Sequence, residues 1–544
     1  MNKRPASRSR LEILSMAIIG CLAAVLLFWG LGERYLWQDE AATAVLSDRM
    51  LRFGRPMAYD GVNLITIDSF QGEEIKSIDQ RTHGAEESVG YYVKRRDFKP
   101  DTTWKWQPWG QFVVAAAGLK LLGHTTVGAR LPFALAALAT VWLLYHLVRR
   151  ECRSPSMAAM AALLLVCNAY WILHSRQCRY YSLSGLSSVL TLLAYVHWQR
   201  GGRWGAAAFV TAAWCWFQVD YGTFWPVMGV LFLDALVAQQ RQFWQPLAVG
   251  GALAAAVAPF LYYYELWGRL SLGQGTWGMR FSENLFNLNQ YIVPLLVVVA
   301  AAALLKSRWK NLPEMERRLV LVGCAIIVAL LLWVPTATPA TFLRYFIPAV
   351  PVGSLLTAWV LVRASERWKP QLAWLGAAVL VITPLVSLPV QAVAKPPEWC
   401  KTGRLIRPEL ETLFTQVFGH RPDPNRLTVE WLKQNAGPTD EILVNYEDVP
   451  LMFYLTNPIR GGMGAFRVED DSKTPPRFLV LRRSVNFVHW PAFEREMNRY
   501  TWEPMKSGAP DVVWGNNPDP IGQVEDPEKA PAVMTGRRID SPTH

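Results

Sequence analysis

The chain has 544 residues, of which 51% are AVILMFWYC and only 18% are Asp, Glu, Lys or Arg, against about 25% charged in ordinary soluble domains. Apolar runs recur from Leu11 to Val390, whereas Lys395 to His544 reads as polar, Pro-rich soluble sequence, so a single soluble domain, a disordered chain and a disulfide scaffold are all excluded. The net charge of +12 marks cytoplasmic loops in a chain this apolar rather than a nucleic-acid surface, and the 25 Trp, 18 Tyr and 23 Phe are the aromatic excess of a membrane interface.

A basic start with Lys3, Arg4, Arg8 and Arg10 precedes the apolar run Leu14–Leu31. No small-residue cleavage pattern closes that run, so an uncleaved first span is favoured over a signal peptide. Further spans are expected near residues 129–148, 156–173, 182–198, 204–219, 222–238, 246–264, 291–305, 319–334, 345–362 and 372–390, each near the roughly 20 residues that an apolar helix needs to cross. With the N-terminus inside, the eleven spans put 18 Lys and Arg in inner segments. The short outer loops hold five: Arg176, Arg179, Arg269, Arg280 and Arg344. That is the asymmetry of the positive-inside rule. Trp109–Leu122 would turn Arg149, Arg150 and Arg153 outward if it crossed, so it is read as an amphipathic helix on the outer surface. The long first outer loop, residues 32–128, then shares a side with the C-terminal domain.

In the tail, Pro408–Phe418 and Leu427–Asn435 read as helices. Glu441–Tyr446, Met452–Leu455, Arg477–Leu481 and Asp511–Trp514 read as strands, and the composition beyond about residue 520 reads as disordered. The expectation is a mainly α-helical polytopic membrane protein of about eleven spans, residues 1–390, with a small extracytoplasmic α/β domain over 391–544.

Chemistry-bearing residues gather at span ends. Asp39 and Glu40 lie just beyond the first span, where a carboxylate suits a general base or a metal ligand; adjacent helix positions do not share a face, so one of the two addresses any given atom. Asp39 equally suits an N-cap for a helix Glu40–Met50. His174-Ser-Arg176-Gln-Cys-Arg179-Tyr180-Tyr181 turns between two spans, and its guanidiniums suit phosphate at headgroup depth or a snorkelling belt. Arg344-Tyr345 repeats that chemistry on the same side. Lys105, among tryptophans, suits a headgroup anchor or an anion ligand. Asp220-Tyr221 reads as a cap, and Gly461-Gly462-Met463-Gly464 as a turn. The eight histidines show no metal-binding spacing.

In this order, these segments resemble the GT-C superfamily of membrane glycosyltransferases. The likeness is to the branch of protein O-mannosyltransferases, bacterial lipid A aminoarabinose transferases and lipopolysaccharide-core sugar transferases. Asp39-Glu40 after the first span, Gly123 through Ala129-Arg130-Leu131-Pro132, Ser175 to Tyr181, and Arg344-Tyr345 with Pro348 are similar to its motifs. Gln177 stands where relatives often carry Glu, and only Pro108 matches the family pattern at the surface helix. The resemblance implies an inverting transferase of the bacterial inner membrane, with a polyprenyl-phosphate sugar as donor and a lipid-linked glycan or protein as acceptor at the outer face. It further implies Asp39 as base, with Glu40 orienting the acceptor or holding a cation. Arg179, Arg344, Tyr181, Tyr345, Arg176 and Lys105 are implied at the donor phosphate, with no nucleic acid and no required metal cofactor. A transporter or lipid flippase is the alternative, and would show broken helices and ionisable residues within the membrane.

Overall fold

The computed structural model describes residues 10–65, 99, 101–238, 243–266, 276–337, 342–366, 368–394, 405–462, 475–482, 490–512 and 529–539. Arg269, Met463–Gly464 and Val513–Trp514 of the segments named above lie outside them. The chain divides into two compact units, Met1–Trp29 with Phe133–Phe418, and Gly30–Pro132 with Gly419–His544.

The first unit is helical. Its elements begin with α1 (Arg10–Phe28). The second unit contributes α2 (Gln38–Phe53) and α3 (Gly110–Leu122), and α4 (Thr126–Glu151) begins there and ends in the first. Then follow α5 (Pro155–Val166), α6 (Ala169–Ser175), α7 (Tyr181–Gln199), α8 (Gly205–Phe217), α9 (Tyr221–Ala238) and α10 (Trp244–Tyr263). The unit continues with α11 (Trp277–Asn287), α12 (Leu295–Arg308), α13 (Glu314–Ala337), α14 (Ala349–Ser365), α15 (Gln371–Ile382), α16 (Leu388–Ala394) and α17 (Pro408–Phe418). Ten of the eleven expected spans fall on one of these helices or on a bent pair, while 372–390 is divided between α15 and α16. Among the described residues four helices, α4, α9, α10 and α13, are long and apolar enough to cross a membrane unbroken, and six spans meet that standard if each bent pair is one. The helix α3 has 13 residues, roughly 20 Å, short of the roughly 30 Å hydrocarbon core, a length it shares with α8.

Packing follows from composition. The helix α14 is apolar all round and Ala349 to Val360 are all buried, which is the signature of a central helix; it packs on α5, α12, α13 and α15. At the helix ends expected to face inward, arginines meet acids across helices. Arg149 pairs with Glu12 at 3.0 Å, Arg318 with Asp234 at 2.7 Å, and Glu151 and Glu316 pair with Arg200 and Arg363. Asp234, on α9, also accepts from the Tyr195 hydroxyl.

Two spans expected to be straight are broken. The axis bends by 64° between α5 and α6, and by 78° between α11, with its π-turn Leu288–Ile292, and α12. Pro294 lacks the N–H that would continue the ladder, and the side chain of Asn289 accepts from Leu295 N instead, at 2.9 Å. At the other break Asn168 caps α6 by accepting from Trp171 N at 2.8 Å. Its amide donates to Tyr291 O at 3.0 Å, so the two breaks meet.

The second unit joins the first loop to the tail. The tail supplies α18 (Pro424–Asn435), β1 (Ile442–Val444), α19 (Asp448–Tyr454), β2 (Ile459–Gly461), β3 (Phe478–Leu481), α20 (Trp490–Asn498), β4 (Trp502–Met505) and β5 (Met534–Arg538). The sheet order is β2-β1-β3-β5-β4. Strand β1 runs parallel to β2 and β3, and β5 antiparallel to β3 and β4. Two expectations are corrected here. Met452–Leu455 is not a strand: its first three residues close α19, because a short apolar run carries no period of its own. The segment after residue 520 is not disordered throughout, since Met534–Arg538 pairs on both sides within the sheet. Helix α2 packs against α3 and α19. Tyr35 N donates to Asp423 at 2.6 Å and Leu36 N to the Tyr454 hydroxyl at 3.0 Å, and the Tyr35 and Tyr454 rings stack at 3.9 Å.

Candidate active site

The first unit brings the two Arg–Tyr turns together. Helix α6 ends at Ser175 and α7 opens at Tyr181, and aromatic rings hold the turn between them. Tyr170 lies 4.0 Å from His174, His174 meets Tyr181 edge-on at 5.2 Å, and Tyr181 meets Tyr180 at 4.8 Å. Tyr181 is buried and Arg179 is nearly so, with its guanidinium 5.8 Å from the Tyr180 ring. The second turn is the 3-10 helix Leu343–Phe346, where Arg344 lies 4.0 Å over the Phe342 ring. Burial of the Tyr180 hydroxyl raises its pKa well above the ordinary phenol value, helped by Tyr181, Asp220 and Tyr345 and opposed by Arg344. Tyr180 therefore feels the groups of both turns, although they lie far apart in the chain.

Asp220 caps α9 as its sequence context implies, accepting from Thr223 N at 3.2 Å and from the Thr223 hydroxyl at 2.6 Å. It also accepts from Ser184 at 2.8 Å, which ties the start of α9 to α7 beside Tyr180. Arg176 is turned elsewhere. Its two terminal nitrogens donate to Leu26 O and Trp29 O, each at 2.6 Å, carbonyls that the end of α1 leaves without helical partners.

In the second unit Asp39 is not the cap of its helix. The helix starts at Gln38, the flanking residue is Trp37, and no side chain caps it, so Asp39 sits within the first turn and is half-buried. Its neighbour Glu40 is fully buried and is held by Arg130 through two parallel bonds, Nε to Oε1 at 2.8 Å and Nη2 to Oε2 at 2.6 Å. Arg130 spends its remaining donors on Leu31 O, Arg34 O and Tyr35 O at 3.1, 2.8 and 3.3 Å. The geometry thus gives Glu40 to the chain segment that leads into α2. Asp39, about 100° further round the helix, lies where its charge reaches Tyr446 and Glu447.

Lys105 belongs to this second unit and is only 4% exposed, which does not suit a headgroup anchor. It follows a bridge between Met57 and Thr103, and Trp104 N donates to Pro56 O at 2.7 Å. Among the described residues no three His, Cys, Asp or Glu side chains are grouped to hold a metal ion.

Sequence reasoning quoted Arg130 within a motif but gave it no role, and it passed over Glu447 entirely. Arg130 has a signal in hindsight, an arginine opening an apolar span. Glu447 has only its place, an acid just after a short apolar strand.

No known family profile and no curated protein sequence matches the chain. Among solved structures it is similar to ArnT from Cupriavidus metallidurans bound to undecaprenyl phosphate, with 14% identity over 98% of this chain and 99% of that one, at a TM-score of 0.58. The apo state of the same protein matches with 14% identity over 96% and 97% of the two chains, at 0.57. At this identity the likeness is one of fold, and the chain shares the fold of ArnT over nearly its whole length.

Proposed function

We propose that the chain is an inverting glycosyltransferase that moves a sugar from a polyprenyl-phosphate donor to an acceptor hydroxyl at the outer face of the bacterial inner membrane. Lipid A or lipopolysaccharide, another envelope glycan, or a protein would fit as acceptor. The observation that carries this reading is that Tyr180 lies within electrostatic reach of both Arg–Tyr turns, in a fold shared with a protein bound to undecaprenyl phosphate.

In the proposed step the acceptor oxygen attacks the anomeric carbon as Asp39 takes its proton. The bond from that carbon to the phosphate oxygen breaks, and polyprenyl phosphate leaves with the electron pair. Arg179 and Arg344 stabilise the charge that grows on the phosphate, with Tyr181 and Tyr345 orienting it. Lys105 remains a candidate for the sugar-phosphate end, while Arg176 secures the end of α1. Glu40 positions Asp39 through its pair with Arg130 rather than touching a reacting atom.

Arg344 provides the direct test of the phosphate assignment. Arg344→Ala should weaken binding of undecaprenyl phosphate by about tenfold or more, the worth of one charge-assisted pair. Arg344→Lys should recover only part of this, because the planar fork is lost. Unchanged affinity in both variants removes Arg344 from the site. The orientation rests on the charge count, and reporter fusions after residues 150, 270 and 400 should read inside, outside and outside. An outside reading at 150 would overturn the assignment of α3 as a surface helix.

One observation favours the flippase alternative. The two helix breaks meet, and beside them a mainly apolar cavity includes Asn168, Gln290, Arg407 and Glu409 in its lining, polar groups of the kind expected where broken helices build a substrate path. Flipping of labelled lipid by reconstituted protein that transfers no sugar would favour it.

A further inference from the structure

We propose that Glu447 is a positioning residue for the acceptor-activating base: its carboxyl, at the carboxyl end of β1 and next in the chain to Asp448, which Gln38 beside Asp39 hydrogen-bonds at 2.7 Å, receives the proton that Asp39 removes from the acceptor. This rests on the transferase reading above.

Topology points to the place first. Strand β1 lies between two parallel neighbours; the chain leaves it through α19 to β2 on one side and later enters β3 on the other. Where successive connections diverge like this, a crevice opens at the carboxyl ends of the strands, and ligands of α/β sheets bind there. The residues at that edge are Asn445, Tyr446 and Glu447 after β1, and Arg482 after β3.

The crevice is built rather than incidental. Asn445 donates to Arg482 O and accepts from Arg482 N, both at 2.8 Å. The Arg482 guanidinium donates to Asn425 Oδ1 at 2.6 Å, and the Asn425 amide donates to Glu447 Oε2 at 3.0 Å. Arg482 is 2% exposed, and its Nε has no hydrogen-bond partner among the described residues. A buried guanidinium nitrogen with nothing to donate to is costly, and it stands at the edge where a ligand oxygen would arrive.

Glu447 itself carries two costs. Its backbone is left-handed, at φ 61° and ψ 40°, where a side chain other than Gly or Asn is disfavoured. The residue is also only 5% exposed. Costs of this kind concentrate at functional sites. The charged groups facing it are Arg482 from the end of β3, Asp448 on its own helix and Asp39 from α2. Burial, then Asp448 and Asp39, push the carboxyl up to about 7, against the pull of Arg482 and the Asn425 hydrogen bond. A carboxylate of that basicity can take the proton from protonated Asp39, O–H bond for O–H bond, and release it to water near neutral pH.

Two measurements on the full-length protein decide the matter. The first is thermal stability across pH 5 to 9. The folded state keeps the Glu447 proton up to about 7, whereas an unfolded Glu releases it near 4.3, so wild-type stability should fall as pH rises between these values and level off above. Glu447→Gln should flatten that fall and melt higher than wild type at pH 8. Asp39→Asn removes one like charge and should move the fall to lower pH. A purely structural Glu447 predicts the reverse, with the Gln variant melting lower at every pH.

The second is turnover against pH, read as undecaprenyl phosphate released from undecaprenyl-phosphate hexose and undecaprenyl-phosphate pentose. Wild type should lose activity below about pH 7, and Glu447→Gln should be about tenfold slower with that inflection gone. An active enzyme in which Glu447→Gln keeps both rate and inflection overturns this proposal and leaves the transferase reading standing. Wild type inert with both donors overturns the two together. A stability profile that Glu447→Gln leaves unchanged overturns the proposal whatever the activity.

Discussion

Asp39→Asn should lower turnover by about 100-fold or more while leaving the protein folded. The amide is nearly isosteric and cannot take up the acceptor's proton. Asp39 sits in the first turn of α2, with no capping bond to lose. The substitution gives up the attraction of a carboxylate to a helix N-terminus, about 0.3–1 kcal/mol. The expected pattern is therefore a near-normal melting temperature with collapsed turnover, measured on purified protein beside wild type. Donor affinity should persist, because the phosphate is assigned to the Arg179 and Arg344 turns. Near-normal turnover would remove Asp39 as base and pass the role to Glu447, the other carboxyl at that edge.

That Glu40 is held in an ion pair with Arg130 was not legible in the sequence, and the reason is physical. Hydropathy and charge report which segments meet lipid and which side their loops favour. They therefore locate the span ends where Asp39, Arg179 and Arg344 lie, and the eleven apolar segments are largely helical, 372–390 being divided between α15 and α16. They are blind to direction within a segment, so the bends at Asn168 and Pro294 were invisible. The repeated Arg–Tyr chemistry flagged two turns that do come together at Tyr180. The same pattern also drew in Arg176, whose guanidinium is spent on the carbonyls of α1, a pairing between residues 150 apart in the chain.

The tail shows the same limit. Pro408–Phe418 was legible to the residue because its apolar positions repeat with helical period. Strand β5, Met-Thr-Gly-Arg-Arg, has no alternation and little β-propensity. It exists because neighbours on both sides supply hydrogen bonds, and because Arg537 pairs with Glu503 of β4 at 2.7 Å. Glu447 was illegible for a related reason: the left-handed backbone and the deep burial that set it apart are properties of the fold, not of the letters Tyr-Glu-Asp.

Arg130→Ala should be among the most damaging single changes in the protein, costing about 3–5 kcal/mol, the usual result of breaking a buried ion pair from one side. Glu40 would be left fully buried without its counter-charge, and the carbonyls of Leu31, Arg34 and Tyr35 would lose their shared donor. Arg130→Lys should rescue little, since an ammonium cannot span two carboxylate oxygens and three carbonyls in one plane. Glu40→Gln should cost less than Arg130→Ala, because the amide still accepts one of the two bonds and the carbonyls keep theirs. The informative variant is the pair Arg130→Met with Glu40→Leu. Replacing both charges by apolar groups of similar volume removes the desolvation cost together with the attraction, so most of the stability lost in either single change should return. If turnover returns with stability, Glu40 acts on Asp39 only by holding α2 in place, as the geometry implies. If the double variant melts like wild type and yet transfers no sugar, Glu40 or Arg130 takes part in the reaction itself, and the assignment of Glu40 as a positioning residue is wrong.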